Sequence, residues 1–420
     1  MNIKHIKQDN FNINILKTNK FKTTKVEITF ANDLKKEHST RRAILPYLLR
    51  SITKKYPTRS DLQVHLEDMY SAGFSAGIRK VGLSHLISFD LSIIDNKYTF
   101  NNEDLFTEGM NFLREVILNP KFSNEIFLEE KRLLVEYFQG IYANKMRYSL
   151  KQTFATMYEG EDFSIDAFGS EDDLEDLTLE DCVFAYNDMI TNDVINISIV
   201  GDVDELDVKN ILNKLFNFSP RTKDLTLIDK TPKPIRESQE LFESQNVNQA
   251  KMVIAHQFPV FYTTDEYYKA IVLNSLVGSG PESLLFKRIR EELSLVYFIG
   301  SVYDQNKGSF IVYGGINQND YNNVLKEVEN ILLDVKNMTY DDKFLVIAKK
   351  GIVSGLFQSL DSGGSLIGRL NSLSLYNKEF DLDVLVAKIN KVTKEELSDL
   401  VGLIKKDVTF LLRNDELENN

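Results

Sequence analysis

A chain of 420 residues, 43% apolar and 27% charged, is longer than one ordinary hydrophobic core, so at least two globular domains are expected. The formal net charge of −12 argues against a nucleic-acid backbone as partner, because phosphates are bound by an excess of Lys and Arg. The one cysteine, Cys182, excludes an internal disulfide framework and a cysteine-based zinc site. The first residues lack the apolar core of a signal peptide and no apolar run reaches membrane-spanning length, so we expect a cytoplasmic protein.

In chain order, alternating apolar residues predict strands and apolar residues at helical spacing predict helices. The strands predicted in the first half are residues 21–30, 73–80, 83–94 and 194–201. The helices predicted there are about 39–54, 60–70 and 103–118, with a long helix from 123 toward 158. This segregation of helices and strands predicts an α+β fold, an antiparallel-rich sheet faced by helices.

Three segments of the first half have counterparts, in the same order, in the second half. The helix after residues 102–104 matches one after 319–320, the helix from Ser123 matches one from Thr339, and the helix and strand from Thr178 match those from Thr393. Identity within the pairs is low, but the element types and N-capping residues agree. We therefore predict two homologous domains, 1–218 and 240–420, joined by a linker at 219–239 that is rich in proline and charge.

The segment 278–297, GSGPESLLFKRIREELSLVY, has the most specific layout in the chain. A turn of small residues precedes a predicted amphipathic helix, which Arg290 closes, and Tyr297 follows at the head of a predicted strand. This layout resembles the substrate-side motif of the insulinase/pitrilysin peptidases, the inverzincin group that includes the mitochondrial processing peptidase type.

The resemblance implies that Arg290 and Tyr297, with Gly278 and Gly280 of the turn, contact a peptide substrate. A guanidinium and a phenol are donors able to hold the backbone carbonyls of an extended peptide. The alternative is structural: an arginine at a helix C-terminus also suits the helix dipole, and Tyr297 would then be an ordinary strand aromatic.

Peptidases of this family hold zinc on a helical His-x-x-Glu-His, and no such sequence occurs in these 420 residues. In the corresponding helix Pro46 and Leu49 offer no ligand atom, and Arg50 brings a permanent positive charge. We therefore expect no metal and no cofactor. Glu129 and Glu136 match the acidic helix that supplies the third zinc ligand in the family. They are either a solvated helix stripe or, in one case, the partner of Arg50 in an ion pair.

The sequence positions of the remaining histidines and of Cys182 do not predict a metal site or a catalytic site. His65 and Glu67 lie two residues apart, which does not place two ligands on one helical face. His256 alternates with apolar residues and is expected to be a strand residue, and Cys182 lies in a helical run where a buried role is usual. No nucleophile elbow, phosphate-binding loop or dinucleotide fingerprint is present.

The resemblance as a whole implies two insulinase-like domains and a catalytically silent chain. Two-subunit members of the family pair a His-x-x-Glu-His chain with one that supplies complementary groups, which implies a heterodimer acting on a peptide, with a homodimer as the alternative assembly. Residues 45–49, 56–58 and 68–73 also resemble a Firmicutes branch labelled as associated with 5-aminopentanol modification of elongation factor P. Two other readings stay open: a scaffold like the core subunits of the respiratory cytochrome complex, and a peptide-binding module acting alone.

Overall fold

The computed structural model describes residues 3–221, 223–230 and 236–414, which form two β-sheets and their covering helices. The strands are β1 (Ile3–Lys7), β2 (Asn12–Lys17), β3 (Thr23–Asp33), β4 (Gly73–Val81), β5 (Ser84–Ile94), β6 (Val194–Gly201), β7 (Gln239–Ser244), β8 (Ala250–Gln257), β9 (Val296–Asp304), β10 (Ser309–Ile316) and β11 (Lys405–Arg413).

The helices of the first half are α1 (Lys36–Ala43), α2 (Leu45–Leu49), α3 (Arg59–Asp68), α4 (Leu105–Leu118), α5 (Asn124–Ala143), α6 (Lys145–Met157), α7 (Glu171–Asp176), α8 (Leu179–Asn192) and α9 (Glu205–Leu215). Those of the second half are α10 (Glu266–Val277), α11 (Tyr321–Lys336), α12 (Asp342–Ser359), α13 (Gly363–Tyr376), α14 (Leu382–Lys391) and α15 (Lys394–Val401). A π-helix at Phe286–Glu292 lies between α10 and α11. None of the helices in the described part of the chain has the length and apolar character needed to cross a membrane.

The two sheets share one topology. Their strand orders are β1-β2-β6-β3-β5-β4 and β7-β11-β8-β10-β9, so that β2 to β6 correspond in order to β7 to β11 once β1 is set aside. In each sheet one pair is parallel, β2 with β6 and β7 with β11, and the other pairs are antiparallel. The predicted α+β fold of two antiparallel-rich sheets faced by helices is therefore confirmed.

Strand alternation explains how each sheet is held. In β3 the side chains of Val26, Ile28 and Phe30 are buried and lie on one face, because successive strand residues point to opposite sides. In the second sheet the same alternation buries Met252 and Ile254 of β8 in the core formed with the helices. Apolar area removed from water in this way is the main favourable term in folding.

The chain forms two compact units that do not follow a single cut in the sequence. Unit 1 comprises Met1–Phe138, Ile165–Leu227 and Ser359–Phe380, and unit 2 comprises the stretches Gln139–Ser164, Ile228–Gln358 and Asp381–Asn420. Unit 1 thus takes α13 from the second half of the sequence, and unit 2 takes α6 from the first half. The two units therefore differ from the expected division of the chain by one linker at 219–239, because each unit also includes a segment from the other side of that linker. Residues 222 and 231–235 of the linker lie outside the described residues.

Each of these two helices packs on the sheet of the unit to which it belongs, although it comes from the other half of the sequence. In unit 1, α13 packs on β2, β3 and β6, where Leu366, Ile367 and Leu370 form an apolar cluster with Leu16 and Val200. In unit 2, α6 packs on β8 and β11. A sheet face with apolar positions must be covered, and the sequence gives no local signal of which helix covers it.

Two predicted helices are interrupted. The helix expected at 39–54 is split into α1 and α2, with Pro46 in the first turn of α2, where its missing N–H costs no hydrogen bond. The long helix expected from 123 toward 158 ends at Ala143. The side chain of Asn144 then accepts a hydrogen bond from the backbone N–H of Arg147 and caps α6.

Candidate functional site

The predicted substrate-side motif lies in unit 2 and is irregular along its whole length. Leu284, Leu285 and Ile289 are buried in the core, as their helical spacing predicts. The helix itself is a π-helix from Phe286 to Glu292, and Arg290 lies inside it rather than closing an α-helix. Such π-helical turns are rare and frequently occur at functional sites.

Arg290 is exposed and is oriented by its neighbours. Its Nη1 donates a hydrogen bond to the backbone carbonyl oxygen of Tyr297. The guanidinium carbon lies 5.0 Å from the centre of the Phe286 ring, within the range of a cation–π contact. The chain between them turns through Ser294, a non-glycine residue with a φ of 54°.

Tyr297 stands out of the sheet because of a β-bulge. Phe298 pairs with Gly315 and Val296 pairs with Ile316, so the register shifts across Tyr297. A bulge of this kind leaves the extra residue unpaired and changes the direction of its side chain. The strand β9 is the last one in the described order of its sheet, and 68% of the Tyr297 surface is exposed.

The two glycines of the motif have structural roles that explain their presence. A Cβ on Gly278 would lie 2.4 Å from Oγ and 2.6 Å from the backbone N of Ser301, so only glycine lets the end of α10 approach β9. The carbonyl oxygen of Gly278 accepts the Ser301 N–H at 3.0 Å. Gly280 has a φ of +101°, which side-chain-bearing residues rarely adopt. A contact of either glycine with substrate stays a prediction.

The helix predicted to correspond to the family's zinc-binding helix lies in unit 1, and two of its three singled-out residues are core residues. Pro46 and Leu49 of α2 are buried, Leu49 completely. Arg50 is exposed and its guanidinium carbon lies 4.8 Å from the centre of the Tyr47 ring. Within the described ranges, no group of three or more His, Cys, Asp or Glu side chains is placed to hold a metal ion.

Arg59, at the start of α3, pairs with the acidic helix α5. Its Nη1 is 2.7 Å from Oε1 of Glu129 and its Nη2 is 2.7 Å from Oε1 of Glu130. Ser51 donates to the same Glu130 oxygen at 3.1 Å. The hydrogen bond from Arg59 holds the pKa of Glu129 below its ordinary value. The arginine paired with this helix is thus Arg59 and not Arg50.

Of the two glutamates singled out in the sequence, Glu129 and Glu136, only Glu129 pairs with Arg59. Glu136 is exposed and pairs with Arg132, one turn earlier on the same helix. Sequence reasoning missed Arg59 and Glu130. The usable signal was the capping box formed by Thr58 and Asp61, which places Arg59 at the first helical position of α3.

The histidines His85 and His256 and the cysteine Cys182 are buried, and His65 is half-buried. Burial lowers the pKa of His85 to about 3 and that of His256 to about 4, and each ring hydrogen-bonds a backbone carbonyl. His65 stacks on Tyr56 with 4.8 Å between the ring centres, and burial also lowers its pKa. Cys182 is buried, which raises the pKa of its thiol to about 12, so it is a weak nucleophile.

The model of one protein family, described as "Peptidase M16 inactive domain", matches residues 176–351. Among curated proteins, the "Probable inactive metalloprotease YmfF" of Bacillus subtilis (strain 168) is 28% identical over 407 residues, 96% of this chain and 95% of its own length. The "Uncharacterized zinc protease YmxG" of the same organism is 24% identical over 236 residues, 55% of this chain and 56% of its own.

Solved structures share the fold over the whole chain. A conserved protein from Enterococcus faecalis V583 has a TM-score of 0.92 and 25% identity, covering 99% of both chains. A peptidase M16 inactive domain from Pseudomonas fluorescens has a TM-score of 0.82 and 14% identity, covering 99% of this chain and 98% of its own.

Proposed function

We propose, from the premise that this chain is a non-catalytic homologue of the M16 (insulinase/pitrilysin-type) peptidases, that it holds a peptide for a zinc-bearing partner chain. The observation that carries the proposal is the exposed Tyr297, displaced from the β-ladder by a bulge and lying beside the guanidinium of Arg290. Core packing does not account for this arrangement, since both side chains are exposed.

The chemistry of the two side chains suits an extended peptide. A guanidinium has five N–H donors, and Arg290 uses one of them on the carbonyl of Tyr297. The remaining donors and the phenol of Tyr297 can hydrogen-bond peptide carbonyls along the outer side of β9. Neither group polarises a water molecule as a metal ion does, so peptide binding at this position does not by itself hydrolyse a bond.

Cleavage would therefore need a second chain. A family member carrying His-x-x-Glu-His would supply the zinc and the general base, while this chain would supply the peptide-binding groups. The resemblance of residues 45–49, 56–58 and 68–73 to a branch labelled with elongation factor P modification suggests one setting for such a pair. Purification of the tagged chain from native cells, followed by mass spectrometry, tests both the partner and this setting.

The decisive experiment uses the assembled complex. Arg290→Ala and Tyr297→Phe are each tested for peptide turnover beside Arg288→Ala, which removes a guanidinium two residues away that pairs with Asp334. We expect pairing to be unchanged in all three variants. Turnover should fall about tenfold to a hundredfold in Arg290→Ala, which loses a charge-assisted contact, and up to about tenfold in Tyr297→Phe, which loses a neutral hydrogen bond.

Two results would contradict the proposal. If the double variant Arg290→Ala/Tyr297→Phe turns over peptide at the rate of the unmodified complex, the motif does not bind substrate and a structural scaffold becomes the better assignment. If no zinc-bearing relative co-purifies with the chain, the heterodimer itself is overturned.

A further inference from the structure

The two sheets differ at one edge. In the first sheet β2 is parallel to β6, and β1 pairs with the outer side of β2. In the second sheet β7 holds the position of β2, since it is parallel to β11 in the same place of the strand order. Among the described residues no strand pairs with the outer side of β7. The position that β1 fills in unit 1 is therefore open beside β7 in unit 2.

Hydrogen bonding at the end of β7 shows which of its backbone groups face this open side. The N–H of Gln245, directly after the strand, donates to the carbonyl oxygen of Arg413 in β11 at 3.0 Å. Backbone groups of successive strand residues point to alternate sides, so every second residue back along β7 also faces β11. The residues whose N–H and C=O groups point to the open side are therefore Glu240, Phe242 and Ser244.

The open side of β7 is accessible. All three of these residues are exposed, and their outward backbone groups make no hydrogen bond to another described residue. Phe242, in the middle, is 49% exposed although its ring packs edge-on against Tyr321, with 5.7 Å between the ring centres. An added strand would satisfy the free donors and acceptors and would cover the rest of this ring.

Charge restricts which strand this edge accepts. Residues 237–244 contain Glu237, Glu240 and Glu243 and neither Lys nor Arg. Charged residues on a short edge strand are one way in which proteins prevent unselective pairing. The same glutamates favour a basic strand, since opposite charges on neighbouring strands stabilise the pair. A second copy of β7 is disfavoured, because it carries the same glutamates and each chain has a net charge of −12.

The strand that covers the equivalent edge in unit 1 is itself basic. β1 has the sequence IKHIK, which contains two lysines and a histidine and no acidic residue. It pairs with β2 in antiparallel register, from Ile3 opposite Leu16 to Lys7 opposite Asn12. A basic strand of five residues thus completes a sheet of this topology within the same chain.

We propose that the outer edge of β7 binds a basic, extended segment of a partner polypeptide, which adds to the second sheet as an antiparallel strand. Backbone hydrogen bonds to residues 240–244 hold the segment in register, an apolar side chain packs on Phe242, and a Lys or Arg pairs with Glu240. β7 and β9 lie at opposite ends of the strand order, so this site is separate from the Arg290–Tyr297 motif and does not rest on the proposed function.

Peptide titration and hydrogen exchange on the full chain test the proposal. The probe is the acetylated and amidated peptide IKHIK, which stands for the partner's segment. The controls are IEHIE, of opposite charge, and IKHIK with N-methylated amides, which keeps the side chains and loses the backbone donors. We expect saturable binding of IKHIK alone, weakened by added salt. Bound IKHIK should slow amide exchange in residues 239–244 and leave residues 296–304 unchanged.

Three variants make the test specific. Phe242→Pro removes an outward donor, leaves the hydrogen bonds to β11 in place and obstructs the added strand, so IKHIK binding should weaken at least about tenfold. Glu240→Lys should weaken it about threefold to tenfold, because an exposed ion pair is replaced by repulsion. Glu175→Lys changes an exposed glutamate of α7 in unit 1 and is the matched control, which should bind IKHIK as the unmodified chain does.

Several outcomes would overturn the proposal. Absence of saturable IKHIK binding, or equal binding of IKHIK and IEHIE, would remove the basic strand from this edge. Binding that is lost in Tyr297→Phe and kept in Phe242→Pro would place the peptide at β9. Dimerisation of the chain alone in analytical ultracentrifugation, abolished by Phe242→Pro, would make a second copy the occupant. If Phe242→Pro loses its fold by circular dichroism, Glu240→Lys decides, and unchanged IKHIK affinity in that variant refutes the proposal.

Discussion

Arg59 and Glu130 form an ion pair of 2.7 Å between the start of α3 and α5, with the carboxylate 5% exposed and the guanidinium 45% exposed. The counter-charge of the buried Glu130 is therefore the guanidinium of Arg59. The same guanidinium also pairs with Glu129, whose side chain is 39% exposed. Because Glu130 is buried and Glu129 is not, the two ion pairs of Arg59 should differ in their contribution to stability.

The first prediction compares the stabilities that the two ion pairs of Arg59 contribute. Arg59→Met should lower the free energy of unfolding by about 2 to 4 kcal/mol, because it leaves Glu130 buried without its counter-charge. Glu129→Gln should lower it by less than about 1 kcal/mol, since exposed ion pairs contribute little. Urea denaturation followed by circular dichroism measures both, and equal losses in the two variants would contradict this account.

The second prediction concerns two glycines that differ in the space around them. Gly278→Ala should lower the free energy of unfolding by about 2 kcal/mol or more, because the new Cβ would overlap the backbone of Ser301. Gly351 lies inside α12, and an added Cβ there would meet no atom within 4 Å. Gly351→Ala should raise stability by about 0.5 to 1 kcal/mol through helix propensity. Thermal denaturation should therefore shift in opposite directions for the two variants.

The third prediction concerns acid stability. The pKa values of His85 and His256 in the folded chain, about 3 and about 4, lie below the ordinary value of 6.5. The stability that these neutral rings contribute is present above pH 6.5 and is lost as the pH falls from 6.5 toward the folded values. Each histidine can remove up to about 1.4 kcal/mol per pH unit in that range. His85→Gln should flatten the fall in urea-midpoint between pH 6.5 and 5, and an unchanged slope would contradict the assignment.

The fourth prediction has the opposite sign. Burial, followed by the nearby charge of Glu27, raises the pKa of Asp90 to about 6 in the folded chain. Asp90 therefore contributes stability that is fully present below its ordinary pKa of 3.8 and is lost as the pH rises through about 6. Asp90→Asn should raise the free energy of unfolding at pH 8 by about 1 to 2 kcal/mol and should change it little at pH 4. A variant that is destabilised equally at both pH values would show that Asp90 acts only through its hydrogen bonds.

The sequence by itself determined the fold class and the absence of the zinc-binding sequence His-x-x-Glu-His. The spacing of apolar residues around Val26, Ile28 and Phe30 and around Leu284 and Ile289 is set by strand and helix geometry, and these residues are buried as that spacing predicts. The absence of His-x-x-Glu-His is also a property of the sequence alone, because without imidazole at those positions no packing can produce the ligand set.

Only the tertiary structure decided which distant segments meet. No local pattern indicates that α13 covers the first sheet and α6 the second, since many amphipathic helices could bury the same apolar positions. Nor does sequence spacing reveal that Arg59 rather than Arg50 reaches Glu130, or that a π-helix and a bulge turn Arg290 and Tyr297 toward solvent. These features depend on long-range packing and register, which add their free energy only when the whole chain has folded.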